Sequence, residues 1–364
     1  MSGKTPSGPL AGIRVVEFAG LGPVPFAGML LSDMGADVVR IERGGVERLA
    51  AHDITARGRR FVALDLKDRD QAKTALDLAG KADILLEGFR PGVMERLGLG
   101  PDDLLAHNPR LVYGRMTGWG QTGPLANAVG HDINYIAITG ALAAVGQGTK
   151  PVPPLNLVGD YGGGALYLVM GVLAALNEAT RSGCGQVVDC AMVDGVLSLM
   201  SMFQSWLNID SWKERREANL LDGGAHFYTT YACRDGRHIA VGAIEPQFYA
   251  TLLRLAQLED PAFIAQHDST QWPDLREKAQ AVFLTRDRDE WAALLEGTDA
   301  CVAPVLTMSE APAHPHIAAR ASLIAKDGVL QAAPAPRFSR TPSAIQGAPP
   351  QQADDPDAIL SAWA

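Results

Sequence analysis

Residues 10–43 read LAGIRVVEFAGLGPVPFAGMLLSDMGADVVRIER, and this stretch decides the fold. Ile13–Phe18 is β-rich, Pro23–Met34 reads as a helix entered through prolines, and Asp37–Ile41 is β-rich again. The turns Gly20–Pro23 and Met34–Asp37 fall where strand should meet helix, and Gly35 suits the left-handed position just past a helix end. Strand, helix and strand in close succession make a βαβ unit, whose two strands run parallel. The pattern continues outward. Phe61–Leu66, Asp83–Leu86 and Leu111–Arg115 read as further strands, with helical spacing over Asp68–Leu78. The expected class is α/β, with a parallel sheet covered on both faces.

Helical spacing then dominates: His131–Ala143, Tyr161–Ala179 and, after the strand Gln186–Ala191, Met192–Leu207. Past Leu221–Ala225 the character changes. Phe227–Cys233 and His238–Ala243 form a hairpin across the D-G turn of Arg234–Arg237. Helices at Pro246–Leu258, Trp272–Leu284 and Asp287–Leu295 and a strand at Cys301–Leu306 follow. The expected organisation is a large domain over residues 1–190, completed by 330–364. A linker helix spans 191–224, a smaller α+β domain spans 225–320, and a return linker spans 321–330. The tail ends in a short helix near Asp357–Trp363.

Hydrophobic residues make up 47% and charged residues 20% of 364, the balance of a globular chain long enough for two domains. With 32 basic against 41 acidic residues the net charge is −9, which argues against a nucleic-acid partner. Arg57-Gly58-Arg59-Arg60 reads as a local positive patch. Four scattered cysteines without a C-x-x-C pair imply no metal site, no disulfide framework and a reducing, cytoplasmic setting. The N-terminus lacks the apolar core of a signal peptide, and SAWA at the C-terminus is not a peroxisomal signal. The apolar run Ala165–Leu176 is too short to span a bilayer, so no membrane association is expected. Gly20–Pro25 is not a G-x-G-x-x-G fingerprint, so a nicotinamide cofactor is not expected.

Within Gly130–Gly164 one histidine and one aspartate stand at helix starts. Gly130 lets the chain turn closely ahead of His131. A helix N-terminus disfavours an imidazolium, so His131 should be a neutral base. The same start offers free backbone N–H groups near Asp132, which could hold an oxyanion. Asp160, ahead of Gly162-Gly163-Gly164, reads on pattern alone as an N-cap. To act as a base it needs its proton affinity raised, and a second carboxylate would do that. Glu245, just before Pro246 at a helix start, is the candidate. Of the other histidines, His52, His226, His314 and His316 lie in loop-like sequence.

The residues 10–43, Leu86–Gly100 (LEGFRPGVMERLGLG), Arg115–Pro124 (RMTGWGQTGP), Gly130–Gly140 (GHDINYIAITG), Pro153–Gly164 (PPLNLVGDYGGG), Gly185–Gly195, Leu221–Tyr228 and Ala240–Tyr249 together resemble the family III CoA-transferases, and within them the α-methylacyl-CoA racemases. The resemblance runs from about Leu10 to Arg340. It implies a Rossmann-like large domain with a parallel sheet, a smaller α+β domain, and an interlocked homodimer. It implies 1,1-proton transfer at C2 of a 2-methylacyl-CoA by His131 and Asp160, with Glu245 beside the aspartate and the Asp132 backbone on the enolate oxygen. It overrides the N-cap reading of Asp160. For coenzyme A, which is part of the substrate and not a cofactor, it implies Arg43, Leu64, Asp65, Leu66, Lys67, Gly88, Phe89, Arg90, Arg96, Gly130, Asp132, Ile133, Asn134 and Tyr135. A transferase of the same family would instead use Asp160 as a nucleophile.

Overall fold

The computed structural model of the protein describes residues 7–43 and 52–364. It divides into two compact units. One comprises Met1–Thr139, Leu155–Met200 and Ala318–Ala364, and the other Gly140–Pro154 and Ser201–Ile317.

In the first unit, among the described residues, six strands form one sheet: β1 (Arg14–Phe18), β2 (Asp37–Glu42), β3 (Arg60–Ala63), β4 (Ile84–Glu87), β5 (Val112–Thr117) and β6 (Gln186–Ala191). Their order is β3-β2-β1-β4-β5-β6 and every pair is parallel. The order reverses between β1 and β4, which leaves a crevice at the carboxyl ends of the strands. Helices of this unit include α1 (Pro23–Asp33), α2 (Arg69–Gly80), α3 (Asp132–Ala137), α4 (Leu166–Ser182) and α5 (Met192–Leu199).

Successive strand residues point to opposite faces. Val15, Ile84 and Val112 pack with Leu31 of α1 and with Leu168 and Val172 of α4. Val16, Leu85 and Tyr113 pack on the other face with Leu78 of α2, Ile359 of the terminal helix Pro356–Ala362 and Trp363 beyond it. The indole of Trp363 donates to Asp37 at 2.7 Å, so the C-terminus completes this unit.

A helical stretch of 26 residues, Leu157–Ser182, is long and apolar enough to cross a membrane by length and composition. Here its apolar face meets the sheet, with Leu168, Val172, Ala175 and Ala179 buried.

Several boundaries differ from the sequence reading, each for a local reason. The helix expected over His131–Ala143 ends at Ala137, and Gly140 turns the chain at φ 85°. The helix expected over Met192–Leu207 is interrupted at Met200, so residues 191–224 are not one linker helix, and α5 belongs to the first unit. Residues 321–330 are no linker: Leu323–Lys326 pairs with Val329–Ala332 across Asp327-Gly328, both at positive φ. That dipeptide is a strong two-residue hairpin signal.

The basic run Arg57–Arg60 is not a surface patch. Arg57 and Arg59 are buried. Arg57 pairs with Asp33 of α1 at 2.5 Å and donates to Gln331 and the Ala332 carbonyl, which ties the returning hairpin to α1. Arg59 pairs with Glu17, in the middle of the sheet on β1, at 3.1 Å, and also donates to the carbonyls of Pro25 and Thr55. Arg60 pairs with Asp37. These charges are spent on the fold.

The second unit holds β7 (Tyr228–Ala232), β8 (His238–Gly242) and β9 (Val302–Pro304), antiparallel in the order β9-β8-β7. Helices Pro246–Ala256, Trp272–Phe283 and Arg288–Leu295 supply its core with Leu252, Leu275 and Trp291. His226 lies in the turn before β7, as its loop-like sequence suggested, yet it is buried: its Nε2 is 2.7 Å from the Tyr249 hydroxyl, and burial pulls its pKa down to about 4.

Replacing Glu17 by Gln leaves the Arg59 guanidinium buried beside a neutral group. Removing one partner of a buried pair costs about 3–5 kcal/mol. Urea denaturation followed by circular dichroism should show a loss of that order.

Candidate active site

A cleft of about 540 Å³ opens at the carboxyl ends of the sheet strands. Its walls follow from the topology. Leu21–Val24 come after β1, Gly88–Pro91 after β4, Met116–Trp119 from the end of β5, and Met192 from the residue after β6. This is where ligands of open α/β sheets bind. His131, Asp132, Tyr135, Asn156 and Asp160 close the remaining side.

The loop after β4 is held by buried charge. Arg115 of β5 donates through Nε to Glu87 at 2.8 Å and through Nη1 to Glu95 at 2.7 Å. The other Glu87 oxygen accepts the Phe89 N–H at 2.8 Å. Burial pushes the Glu87 carboxyl up, while Arg115 and the Phe89 amide oppose that. Gly88-Phe89-Arg90 is thereby fixed on the cleft wall.

His131 is the N-cap of α3, and its backbone N–H donates to the Asn134 side chain at 3.0 Å. The ring of Tyr135 occupies the space that a Cβ would need at Gly118 and Gly130, stands edge-on to Trp119, and its hydroxyl donates to the Gly130 carbonyl. Glycine at both positions is what allows the His131 turn to sit so close to β5. The imidazole itself is exposed toward solvent in the cleft.

Asp160 is not an N-cap. It lies inside a π-helical segment, Leu157–Ala165, that runs straight into α4. Wide turns of this kind frequently occur at functional sites. Burial raises the pKa of its carboxyl. The Asn156 amide, 3.4 Å away, opposes this, Asp132 adds to it, and His131 opposes it. One carboxylate oxygen faces Gly22, where a methyl group would stand 2.9 Å from it.

His131 and Asp160 thus share one cleft. Of the residues expected on coenzyme A, Gly88, Phe89, Arg90, Gly130, Asp132 and Tyr135 line it. Arg43, Lys67, Arg96, Ile133 and Asn134 are exposed outside the lining set, Asp65 and Leu66 are half-buried, and Leu64 is in the core. Glu245 belongs to the second unit, where it is the N-cap of Pro246–Ala256. Within the first unit the carboxylate beside Asp160 is Asp132. The sequence reading did not foresee the side chains of Asp132, Asn156 and Trp119. Asn156 had a signal, since it precedes Asp160 by four residues.

Residues 10–355 match the model of CoA-transferase family III. The chain belongs to this family. It is 50% identical over 337 residues to an α-methylacyl-CoA racemase of Mus musculus, covering 92% of this chain and 87% of that one. It is 44% identical to the enzyme of the same name from Homo sapiens, with the same coverage. A solved CaiB/BaiF family protein of Brucella suis shares the fold, with a TM-score of 0.85 at 24% identity over 98% of this chain and 100% of that chain.

Folding raises the proton affinity of Asp160, so the folded chain keeps a proton that the unfolded chain has released. This stabilisation is full below the unfolded value and is lost as pH rises through the folded one. Asp160→Asn should therefore be more stable than the parent at about pH 8, with the gap closing in acid. Urea midpoints across pH check the sign.

Proposed function

We propose that the protein is an isomerase that interconverts (2R)- and (2S)-2-methylacyl-CoA thioesters. The observation that carries this is the pairing of an imidazole, His131, and a carboxylate of raised proton affinity, Asp160, on the wall of one cleft. The racemases named above, at 50% and 44% identity, support it.

The chemistry is removal and return of the C2 proton. One base takes the proton from one face as the C–H electron pair moves toward the thioester carbonyl. The enolate oxygen needs a donor, and the Asp132 N–H at the start of α3 is free for it under this reading. The opposite group then donates a proton to the other face. His131 and Asp160 exchange roles with direction. A base raised toward neutral pH is better matched to this task than an ordinary carboxylate. Raised proton affinity also suits a group that must give a proton back in the reverse direction, a role a nucleophile does not have. Arg90, on the cleft wall after β4, is the cation best placed to meet a CoA phosphate, with Arg43, Lys67 and Arg96 as further contacts along the chain.

The same reading extends to the assembly. We place Glu245 at the site through a homodimer in which the second unit of one copy covers the first unit of the other. We place the enzyme in the cytoplasm, where its four unpaired cysteines suit a reducing medium. No separate cofactor enters the scheme.

The test is one pure (2R)-2-methylacyl-CoA incubated in D₂O. Epimerisation should proceed with deuterium uptake at C2, and His131→Ala should slow it by about 10²–10⁴-fold. An acyl-enzyme trapped by hydroxylamine at Asp160, without deuterium uptake, would mean group transfer instead. Arg90→Ala should raise KM for the thioester about tenfold, the equivalent of roughly 1.4 kcal/mol, with kcat little changed.

A further inference from the structure

Of the charged side chains lining the cleft, Arg90, His131 and Asp160 have parts in the proposed reaction. The Asp132 carboxylate has none. It is only 8% exposed. Its Oδ1 accepts the backbone N–H of Asp160 at 2.7 Å, and its Oδ2 is buried with no hydrogen-bond partner among the described residues. Burying an anion with one oxygen unmatched is costly. An asparagine there would present the same acceptor to Asp160 without the charge. The charge therefore calls for a reason other than the hydrogen bond.

The packing around it is correspondingly tight. A side chain at Gly159 would collide with Asp132 Oδ1, and one at Gly195 of α5 would collide with the Gly163 carbonyl. The π-helical turn is pressed between α3 and α5, and Asp132 is its polar fastening.

We infer that the Asp132 side chain is a positioning residue for Asp160, fixing its backbone against the helix start that carries His131 and setting a negative charge beside its carboxylate. Within the first unit the groups around Asp160 leave that charge prominent. From α3 come His131, Asp132 and the Tyr135 phenol, from its own turn the neutral Asn156, from the residue before α1 the Gly22 backbone, from the β4 loop Arg90, and from α5 the apolar Met192. Glu245 would join them only through the homodimer proposed above. Two carboxylates held close cannot both ionise easily, so the field of one keeps the other proton-hungry. The direction of the Asp160 shift agrees, with burial first and Asp132 contributing in the same sense. Asp132 thus joins the two bases: its backbone begins the helix capped by His131, and its side chain grips Asp160.

The kinetic part of this inference rests on the racemase reading; the electrostatic part does not. Asp132→Asn keeps the acceptor and removes the charge, whereas Asp132→Ala removes both. In protein carrying ¹³C at aspartate Cγ, with the Asp160 signal identified from Asp160→Asn, the Asp160 titration should move to lower pH in Asp132→Asn. This arm needs no turnover. In the D₂O exchange assay the acid limb of the Asp132→Asn pH profile should move the same way. Asp132→Ala should lose about 10²-fold in kcat, the scale of a displaced catalytic group, while KM for the thioester holds. An Asp160 titration that does not move in Asp132→Asn overturns the inference, whether or not Asp132→Ala folds. A titration that moves in an enzyme that exchanges no C2 hydrogen upholds it and removes the racemase reading instead.

Discussion

The close approach of the π-helical turn to its neighbours is the constraint from which the site follows. Gly159 lies against Asp132, Gly163 against Gly195 and Val196, and Gly164 against Met192 and Pro23. No side chain fits at the first two of these contacts without moving a backbone or a fixed carboxylate. Glycine costs conformational entropy in a helix, and four of the nine residues of this turn are glycine. Apolar packing and the Asp132 hydrogen bond offset that cost. A regular α-helix through the same residues would rotate Asp160 relative to α4. The wide turn lets the apolar stripe of α4 face the sheet while Asp160 faces the cleft.

Buried ion pairs do similar work beneath the loops. Glu17 with Arg59, Asp33 with Arg57, and Glu87 with Arg115 each join segments distant in sequence. Such pairs add little net stability, because desolvation consumes most of the Coulomb gain. Their value here is geometric. Glu87 holds Arg115 with one oxygen and the Phe89 amide with the other, so one carboxylate ties the start of the β4 loop to β5. Apolar residues could hold the strands together, yet they could not direct an amide two residues past a strand end.

Much of the fold was legible in the sequence, for physical reasons that also mark where legibility stopped. IRVVEF and DVVRIE are rich in Val and Ile on both faces because both faces of the sheet are covered, with Glu17, Arg40 and Glu42 buried only as ion-paired residues, and the intervening helix forces the strands parallel. Asp235-Gly236 named its hairpin. Asp327-Gly328 carried the same signal in a stretch otherwise read as linker. The Arg57–Arg60 cluster misled because charge in a sequence carries no information on its partner: Asp33 and Glu17 are 24 and 42 residues away. His131 and Asp160 stood out by their glycine flanks. The carboxylate that meets Asp160 within its own unit did not, since the contact between residues 132 and 160 depends on a π turn that no periodicity announces.

The basicity of Asp160 and the stability of the chain pull in opposite directions. Burial that withholds water from the carboxylate makes it a better base and a worse anion to bury. Asp132 sharpens both effects, because its charge is unmatched at one oxygen. His131 has the opposite situation: its ring is exposed, while its backbone is fixed by Asn134 and by the Tyr135 seat on Gly130. The cost of burying the Asp160 carboxyl falls on the one turn that carries it, whose glycines the close packing against Asp132, Gly195 and Val196 requires.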